Sequence, residues 1–169
     1  MNSKIYPIGV QNFESLRKDD YFYIDKTALV YQLARTGRYY FLSRPRRFGK
    51  SLLISTLEAY FQGKKELFEG LAIETLEKDW IKHPILHLDL NIEKYDVPES
   101  LDNILEKSLV AWEKLYGAEP SERSFSLRFA GIIQRACEKT GQRVVILVDE
   151  YDTVSYTHLR AHETDQYLV

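Results

Sequence analysis

The segment RVVILVDE, residues 143–150, constrains the fold more than any other part of the chain. Five consecutive apolar residues are followed there by two acids. A short, uninterrupted apolar run is typical of a strand that is buried on both faces, as in a parallel sheet. We therefore predict a buried strand that ends at Asp149 and Glu150.

Other strand and helix patterns alternate before this strand. Apolar runs predict strands at 39–43 (YYFLS) and 84–90 (PILHLDL), and 21–25 (YFYID) has the loose alternation of a short extended piece. Apolar residues at helical spacing predict helices at 26–35 and 49–62. A third predicted helix begins near Leu101 and ends before Gly117, and a fourth begins near Phe125 and ends before Gly141. Alternating strands and helices favour an α/β layered domain with a parallel sheet.

Composition narrows the class of protein. The chain has 169 residues, of which 44% are hydrophobic, so it has enough apolar material for one domain with a real core. The net charge of −2 argues against a chain that binds nucleic acid over its whole surface. The single cysteine, Cys137, which we expect in the core, fits a reducing compartment, and no apolar run approaches the length of a membrane span. We expect a cytoplasmic protein that does not enter membranes.

The segment RPRRFGKS, residues 44–51, predicts a phosphate-binding loop. It stands between a predicted strand and a predicted helix, which is the arrangement that such a loop requires. In this interpretation Lys50 reaches the β- and γ-phosphates of ATP, and the Ser51 hydroxyl binds Mg²⁺. The pattern departs from the usual one, because Arg44 replaces a glycine and Pro45 lacks an N–H group.

Arginines surround the loop, and their guanidinium groups are suited to phosphate oxygens. We include Arg44, Arg46 and Arg47 among the candidate nucleotide-binding residues. The alternative is that they are solvated loop charges. The remaining candidate binding residues are Phe48, Gly49, Lys50, Ser51 and Leu52.

The two acids after the last strand complete the predicted site. Ligands of open α/β sheets bind at the carboxyl ends of the strands. Asp149 would hold Mg²⁺ together with Ser51, and Glu150 would orient or activate the attacking water as the catalytic residue. The alternative is an ordinary core strand that runs into a charged loop.

Three segments together resemble the bacterial AAA-ATPase-like proteins, a family of P-loop ATPases: PIGVQNFESLRKDDYFYIDKT, YYFLSRPRRFGKSLLISTLEAYFQGKKELFEGL and VVILVDEYD. The resemblance covers about residues 5–152, and an arginine in place of the first glycine is common in that family. It implies a three-layer α/β/α fold with ATP and Mg²⁺ at Lys50, Ser51, Asp149 and Glu150. It also implies that longer relatives continue into a domain that resembles a restriction-type nuclease.

The resemblance also suggests that the chain is truncated at its C-terminus. The strand that lies between the phosphate-loop strand and the acidic strand in such ATPases would follow residue 152. We expect residues 153–169 to be a polar tail that is not native to the family, and the chain to be inactive by itself.

Two alternatives stay open. Asp25, Lys26 and Thr27 match in placement the segment that flanks adenine in related ATPases, but a helix N-terminus with Asp25 as N-cap explains them as well and is the interpretation we prefer. The chain either turns ATP over or only senses it as an interaction module. A weaker third reading is nucleic-acid binding through a basic patch that includes Arg38.

Overall fold

The structure is a computed structural model, and it describes residues 5–43, 48–90 and 100–151. The chain divides into two compact units, residues 1–83 and residues 84–169, which we call the N-terminal unit and the C-terminal unit. None of the helices in the described ranges combines the length and the hydrophobicity that crossing a bilayer requires.

The described part of the N-terminal unit is helical. The helices predicted at 26–35 and 49–62 are confirmed, and shorter helices that the pattern did not predict flank them. In chain order the elements are α1 (Phe13–Lys18), α2 (Thr27–Thr36), α3 (Lys50–Phe61), a 3₁₀ helix (Lys65–Phe68) and α4 (Ala72–Leu76).

Local signals in the sequence set the ends of these helices. The side chain of Asn12 accepts a hydrogen bond from the Ser15 N–H, 3.0 Å away, and so caps α1. After α3 the chain turns at Gly63, which has φ 68° and donates its N–H to the Tyr60 carbonyl. Glycine suits this turn because it adopts positive φ without steric cost.

Aromatic residues form much of the core of the N-terminal unit. Phe13 of α1 and Phe68 of the 3₁₀ helix are fully buried, and their ring centroids lie 4.9 Å apart. Trp80 lies 5.1 Å from Phe68 and 5.9 Å from Tyr60 of α3. These contacts join short elements that could not be stable as isolated helices.

The C-terminal unit contains a pair of parallel strands with two helices between them along the chain. Its elements are β1 (Ile85–Asp89), α5 (Ser100–Tyr116), α6 (Phe125–Thr140) and β2 (Val145–Asp149). β1 pairs with β2 in parallel, from Ile85 opposite Val145 to Asp89 opposite Asp149. Both strands, both helices and a parallel sheet were predicted from the sequence, but the pairing of these two strands with each other was not.

Apolar and ionic contacts hold the C-terminal unit together. Its buried cluster consists of Leu86, Leu109, Trp112 and Ile132. Between the two helices, the Arg128 guanidinium donates to both oxygens of Glu113, at 2.6 and 2.8 Å. This two-bond geometry fixes α5 against α6 more specifically than a single contact would.

The strand predicted at 39–43 is wrong, and 21–25 is not a strand either. Tyr39 is 93% exposed and Phe41 73% exposed. An aromatic run fits a strand only where a neighbouring strand pairs with it, and the sheet in the described residues contains β1 and β2 alone. Tyr40 instead packs locally: its hydroxyl lies 3.0 Å from Thr36 Oγ1, and a Cβ on Gly37 would lie 2.6 Å from it.

The fold class is therefore confirmed at the level of a mixed α/β chain with a small parallel sheet. The expectation that Cys137 lies in the core is wrong, because this residue is exposed on α6. Helical periodicity places Cys137 near the apolar stripe, but the stripe buries Ile132 and Ala136 and leaves Cys137 at its margin.

Candidate functional site

Helix α3 begins directly after a glycine in the left-handed conformation. Gly49, with φ 75° and ψ 27°, is the N-cap of α3, and Lys50 is the first helical residue. Residues with a Cβ atom adopt this conformation only at an energetic cost, because the Cβ approaches the following carbonyl oxygen. A Cβ built on Gly49 meets no heavy atom of the described residues within 4 Å. The backbone conformation therefore favours glycine here.

The first turn of α3 has the donors that a phosphate group needs. It contains Lys50, Ser51 and Leu52, and it carries no acidic side chain. Because Gly49 has no side chain, the N-cap supplies no oxygen to the first N–H groups of the helix. These N–H groups and the positive end of the helix dipole favour an anion at this position. The donor set therefore fits the phosphates that the sequence predicts.

The residues that precede this turn are only partly described. Arg44, Arg46 and Arg47 lie outside the described residues, and their contacts with phosphate stay a prediction. Phe48 is 64% exposed. The Leu52 carbonyl accepts hydrogen bonds from Ser55 Oγ and Thr56 Oγ1, at 3.0 and 2.7 Å, so its binding contribution would come from its N–H group.

The predicted acids stand at the carboxyl end of β2. Asp149 is the last strand residue and is only 8% exposed. Its Oδ1 accepts a hydrogen bond from the Glu150 N–H at 2.9 Å. Glu150 has φ 55°, an uncommon conformation for a residue other than glycine. Strain of this kind is often found at functional sites, where the surrounding structure holds it in place.

The parallel pairing brings a third acid to the same edge of the sheet. Asp89 ends β1 and stands opposite Asp149 in the register. Asp89 was not among the site residues predicted from the sequence. The signal was present, because an acid at the end of a second parallel strand must lie beside the first if the two strands pair in register.

The predicted site residues are divided between the two units. Gly49, Lys50 and Ser51 belong to the N-terminal unit, and Asp149 and Glu150 belong to the C-terminal unit. The pairing of Ser51 with Asp149 around Mg²⁺ therefore stays a prediction.

The segment Asp25–Thr27 has a structural role in the N-terminal unit. Asp25 Oδ1 accepts hydrogen bonds from the Thr27 N–H and hydroxyl, and Oδ2 accepts one from the Ala72 N–H. Thr27 Oγ1, which is buried, accepts from the Ile73 N–H at 3.1 Å. Lys26 is exposed and is itself the N-cap of α2. The carboxylate therefore serves the first turns of two helices, which agrees with a capping role, but the N-cap of α2 is Lys26 and not Asp25 as predicted.

The electrostatics of Asp25 agree with this role. Burial raises the pKa of its carboxyl group, but the hydrogen bonds from Ala72 and Thr27 outweigh burial, so the pKa lies below its ordinary value. The carboxylate is thus charged at neutral pH and serves as an acceptor.

A buried carboxylate that the sequence did not indicate lies at the end of α4. Glu77 is 4% exposed, and its two oxygens accept hydrogen bonds from the Arg35 guanidinium at 3.1 and 3.2 Å. The Tyr60 hydroxyl donates to Oε2, and the N–H groups of Lys78 and Asp79 donate to Oε1. We call Arg35, Tyr60 and Glu77 the Glu77 cluster.

Hydrogen bonding keeps Glu77 ionised in spite of its position. Burial raises its pKa, but the hydrogen bonds from Tyr60, the backbone and Arg35 lower the pKa by more than burial raises it, so the net shift is downward. The same contact acts in the opposite direction on Tyr60, whose pKa is raised by burial and by the neighbouring carboxylate. Tyr60 is therefore a donor in this pair at physiological pH.

Comparison with known proteins identifies the family. The family model described as "Predicted AAA-ATPase" matches residues 7–168. This chain belongs to the predicted AAA-ATPase family. The resemblance of the three sequence segments to that family is thus confirmed.

A curated relative supports the same assignment. It is the "Uncharacterized protein in vnfD 5'region" of Azotobacter chroococcum mcd 1, which is 41% identical over 154 residues. The match covers 90% of this chain and 30% of the relative, so the chain spans less than a third of the length of that protein. No solved structure matches the chain.

Proposed function

We propose that this chain is the ATP-binding P-loop domain of an AAA-like ATPase. One observation carries the proposal: Gly49 adopts the left-handed conformation and α3 begins at Lys50, so the Gly-Lys-Ser sequence coincides with a helix N-terminus. Of the strand–loop–helix arrangement predicted from the sequence, the start of the helix is present and the strand at 39–43 is not. Membership of the predicted AAA-ATPase family favours nucleotide binding in general.

Each residue of the loop has a role in this proposal. The first N–H groups of α3 bind phosphate oxygens, and the Lys50 ammonium neutralises charge at the β- and γ-phosphates. Ser51 and Asp149 are the candidate ligands of Mg²⁺, which would neutralise phosphate charge when bound. Arg44, Arg46 and Arg47 add guanidinium groups, for which phosphate is a favoured partner.

Hydrolysis requires a group that orients the attacking water. We assign this role to Glu150, which follows the buried end of β2 and is held with positive φ. A carboxylate accepts a proton or a hydrogen bond from water when it lies within about 3 Å of it. A chain that binds ATP without this step would be a nucleotide sensor, and turnover distinguishes the two.

The coupling of this domain to a second domain is also a proposal. The relative from Azotobacter chroococcum is much longer than the matched region. This length is consistent with an ATPase domain that acts on an attached domain, and the resemblance suggests a nuclease-like one.

Titration with a fluorescent ATP analogue in the presence of Mg²⁺ tests nucleotide binding. Lys50→Ala should abolish binding, because it removes the charge that faces the β- and γ-phosphates. Lys65→Ala is the matched control, since Lys65 is an exposed lysine of the same unit. Equal affinity of Lys50→Ala and the wild type, with unchanged circular dichroism spectra, would reject the site.

A further inference from the structure

The Glu77 cluster connects the two helices that flank the phosphate loop. Arg35 belongs to the last turn of α2, before residues 37–49, and Tyr60 belongs to α3, which follows them. α2 packs against α4, and α3 packs against α1. Glu77, directly after α4, bonds to one residue from each of these two pairs.

We propose that Glu77 is a positioning residue for the nucleotide site: it fixes α3 relative to α2 and thereby the first turn of α3, which carries Lys50 and Ser51. This inference rests on the proposed function of the loop. Among the described residues, the hydrogen bonds of Glu77 go to Arg35, Tyr60 and the backbone that follows Glu77. Glu77 acts through α3, a 12-residue helix that carries Lys50 at one end and Tyr60 near the other.

The geometry supports transmission along α3. A continuous helix moves as one body over this length, so a shift at Tyr60 changes the position of the first turn as well. The middle of α3 has its own anchor to the beginning of α1, where the Phe13 N–H donates to Ser55 Oγ at 3.0 Å. Loss of the contact at Tyr60 would leave α3 to be held by this middle anchor and by its packing against α1.

The contacts of Glu77 are more specific than stability alone requires. A buried carboxylate can often be replaced by apolar groups without loss of stability. Here it accepts from an arginine, a tyrosine and two backbone N–H groups at once. The cluster therefore defines one relative placement of three segments, which suits a loop whose N–H groups must converge on a ligand.

The test compares three variants with a control of the same chemistry. Glu77→Gln removes the charge, and Tyr60→Phe removes only the hydroxyl and keeps the ring that packs against Trp80. Glu113→Gln, which loses a carboxylate that binds Arg128 in the C-terminal unit, is the matched control. Arg35→Ala is the third variant. If Glu77→Gln does not fold, the MgATP affinities of Arg35→Ala and Tyr60→Phe decide the test.

MgATP affinity is measured at a temperature at which every variant is fully folded. A Trp112→Phe background makes the emission spectrum report on Trp80 alone, so a spectral change shows that the packing around Tyr60 has shifted. We expect Glu77→Gln and Tyr60→Phe to weaken affinity by about 3- to 30-fold, the range of indirect coupling, and Glu113→Gln to leave it unchanged. The Glu77→Gln/Tyr60→Phe double variant should lose less than the product of the two single losses, because both changes break one contact.

Two kinds of failure are distinguishable. If the wild type binds MgATP and Lys50→Ala does not, but Glu77→Gln and Tyr60→Phe bind as the wild type does, Glu77 only stabilises the fold and the inference is overturned. If the wild type does not bind MgATP, or Lys50→Ala binds equally well, the proposed function fails and the positioning role fails with it.

Discussion

The Asp25 carboxylate lies 2.7 Å from the backbone nitrogen of Ala72, which is the first residue of α4 and 47 positions further along the chain. The other oxygen of the same carboxylate accepts from Thr27 at the first turn of α2. One side chain thus satisfies N–H groups at the beginnings of two helices, which have no partners within those helices. This use of Asp25 links the starts of α2 and α4.

Asp25→Asn should destabilise the protein and leave ATP affinity unchanged. An asparagine side chain offers one oxygen and one amide group, so either Thr27 or Ala72 would face a donor in place of an acceptor. We expect a loss of about 1–3 kcal/mol in the free energy of unfolding, measured by denaturant titration. Asp19→Asn, at an exposed position after α1, is the control. A loss of affinity without a loss of stability would instead support a contact with the base or ribose.

The sequence predicted the longer elements of the fold and missed the short ones. α5 and α6 are long enough for an apolar stripe to repeat several times, and β2 has an uninterrupted apolar run. α1 and α4 have only six and five residues, so each makes less than two turns and shows little periodicity. Their existence depends on contacts such as Asp25 with Ala72, and no local pattern shows contacts of that range.

The candidate site was predictable to a similar degree. Gly49, Lys50 and Ser51 form a local motif whose helix boundary could be read directly from the sequence. The approach of Arg35, Tyr60 and Glu77 could not, because these residues are separated by 25 and 17 positions and none belongs to a motif. The strand at 39–43 was wrong for the same reason: its residue types are compatible with a strand, but pairing is decided by other parts of the chain.

Gly49→Ala tests whether the left-handed turn matters for binding. Gly141 has a similar conformation, φ 65°, at the end of α6, and a Cβ at either glycine meets no heavy atom of the described residues within 4 Å. We expect Gly49→Ala and Gly141→Ala each to lose about 1–2 kcal/mol of stability by backbone strain. Only Gly49→Ala should also weaken MgATP binding, since only Gly49 precedes the phosphate-binding turn. Equal affinities of the two variants in the titration would contradict the assignment of the loop.

Acid should destabilise the N-terminal unit through Glu14 and Glu77. Hydrogen bonds from Lys18 and Lys64 lower the pKa of Glu14 to about 2, and Glu77 is shifted in the same direction. A carboxyl group with a lowered pKa in the folded state contributes stability above its ordinary pKa and loses it as the pH falls through the folded value. The melting temperature should therefore fall between about pH 4.5 and pH 2.

Glu14→Gln separates the contribution of Glu14 from that of the rest of the protein. The variant should melt at a lower temperature than the wild type at pH 7 and should lose less on acidification, because one of the titrating groups is gone. Glu138→Gln provides the control, as Glu138 is an exposed residue that accepts a hydrogen bond from Gln134. Parallel pH profiles for the wild type and Glu14→Gln would show that the ion pairs of Glu14 contribute nothing to stability.

Glu150→Gln, introduced at the matching position of a full-length relative, should separate hydrolysis of ATP from its binding. Gln has nearly the same size but cannot accept a proton, so a water-orienting role predicts loss of most turnover and an ATP affinity within a few-fold of the wild type. The φ of 55° at Glu150 is equally accessible to Gln, which makes a change in backbone strain a poor explanation of any effect. Asp149→Asn serves as the comparison, because Asp149 is assigned to Mg²⁺ and its loss should weaken binding when Mg²⁺ is present. If Glu150→Gln loses affinity and turnover together, as Asp149→Asn is expected to do, then Glu150 holds the metal or the fold and some other residue orients the water.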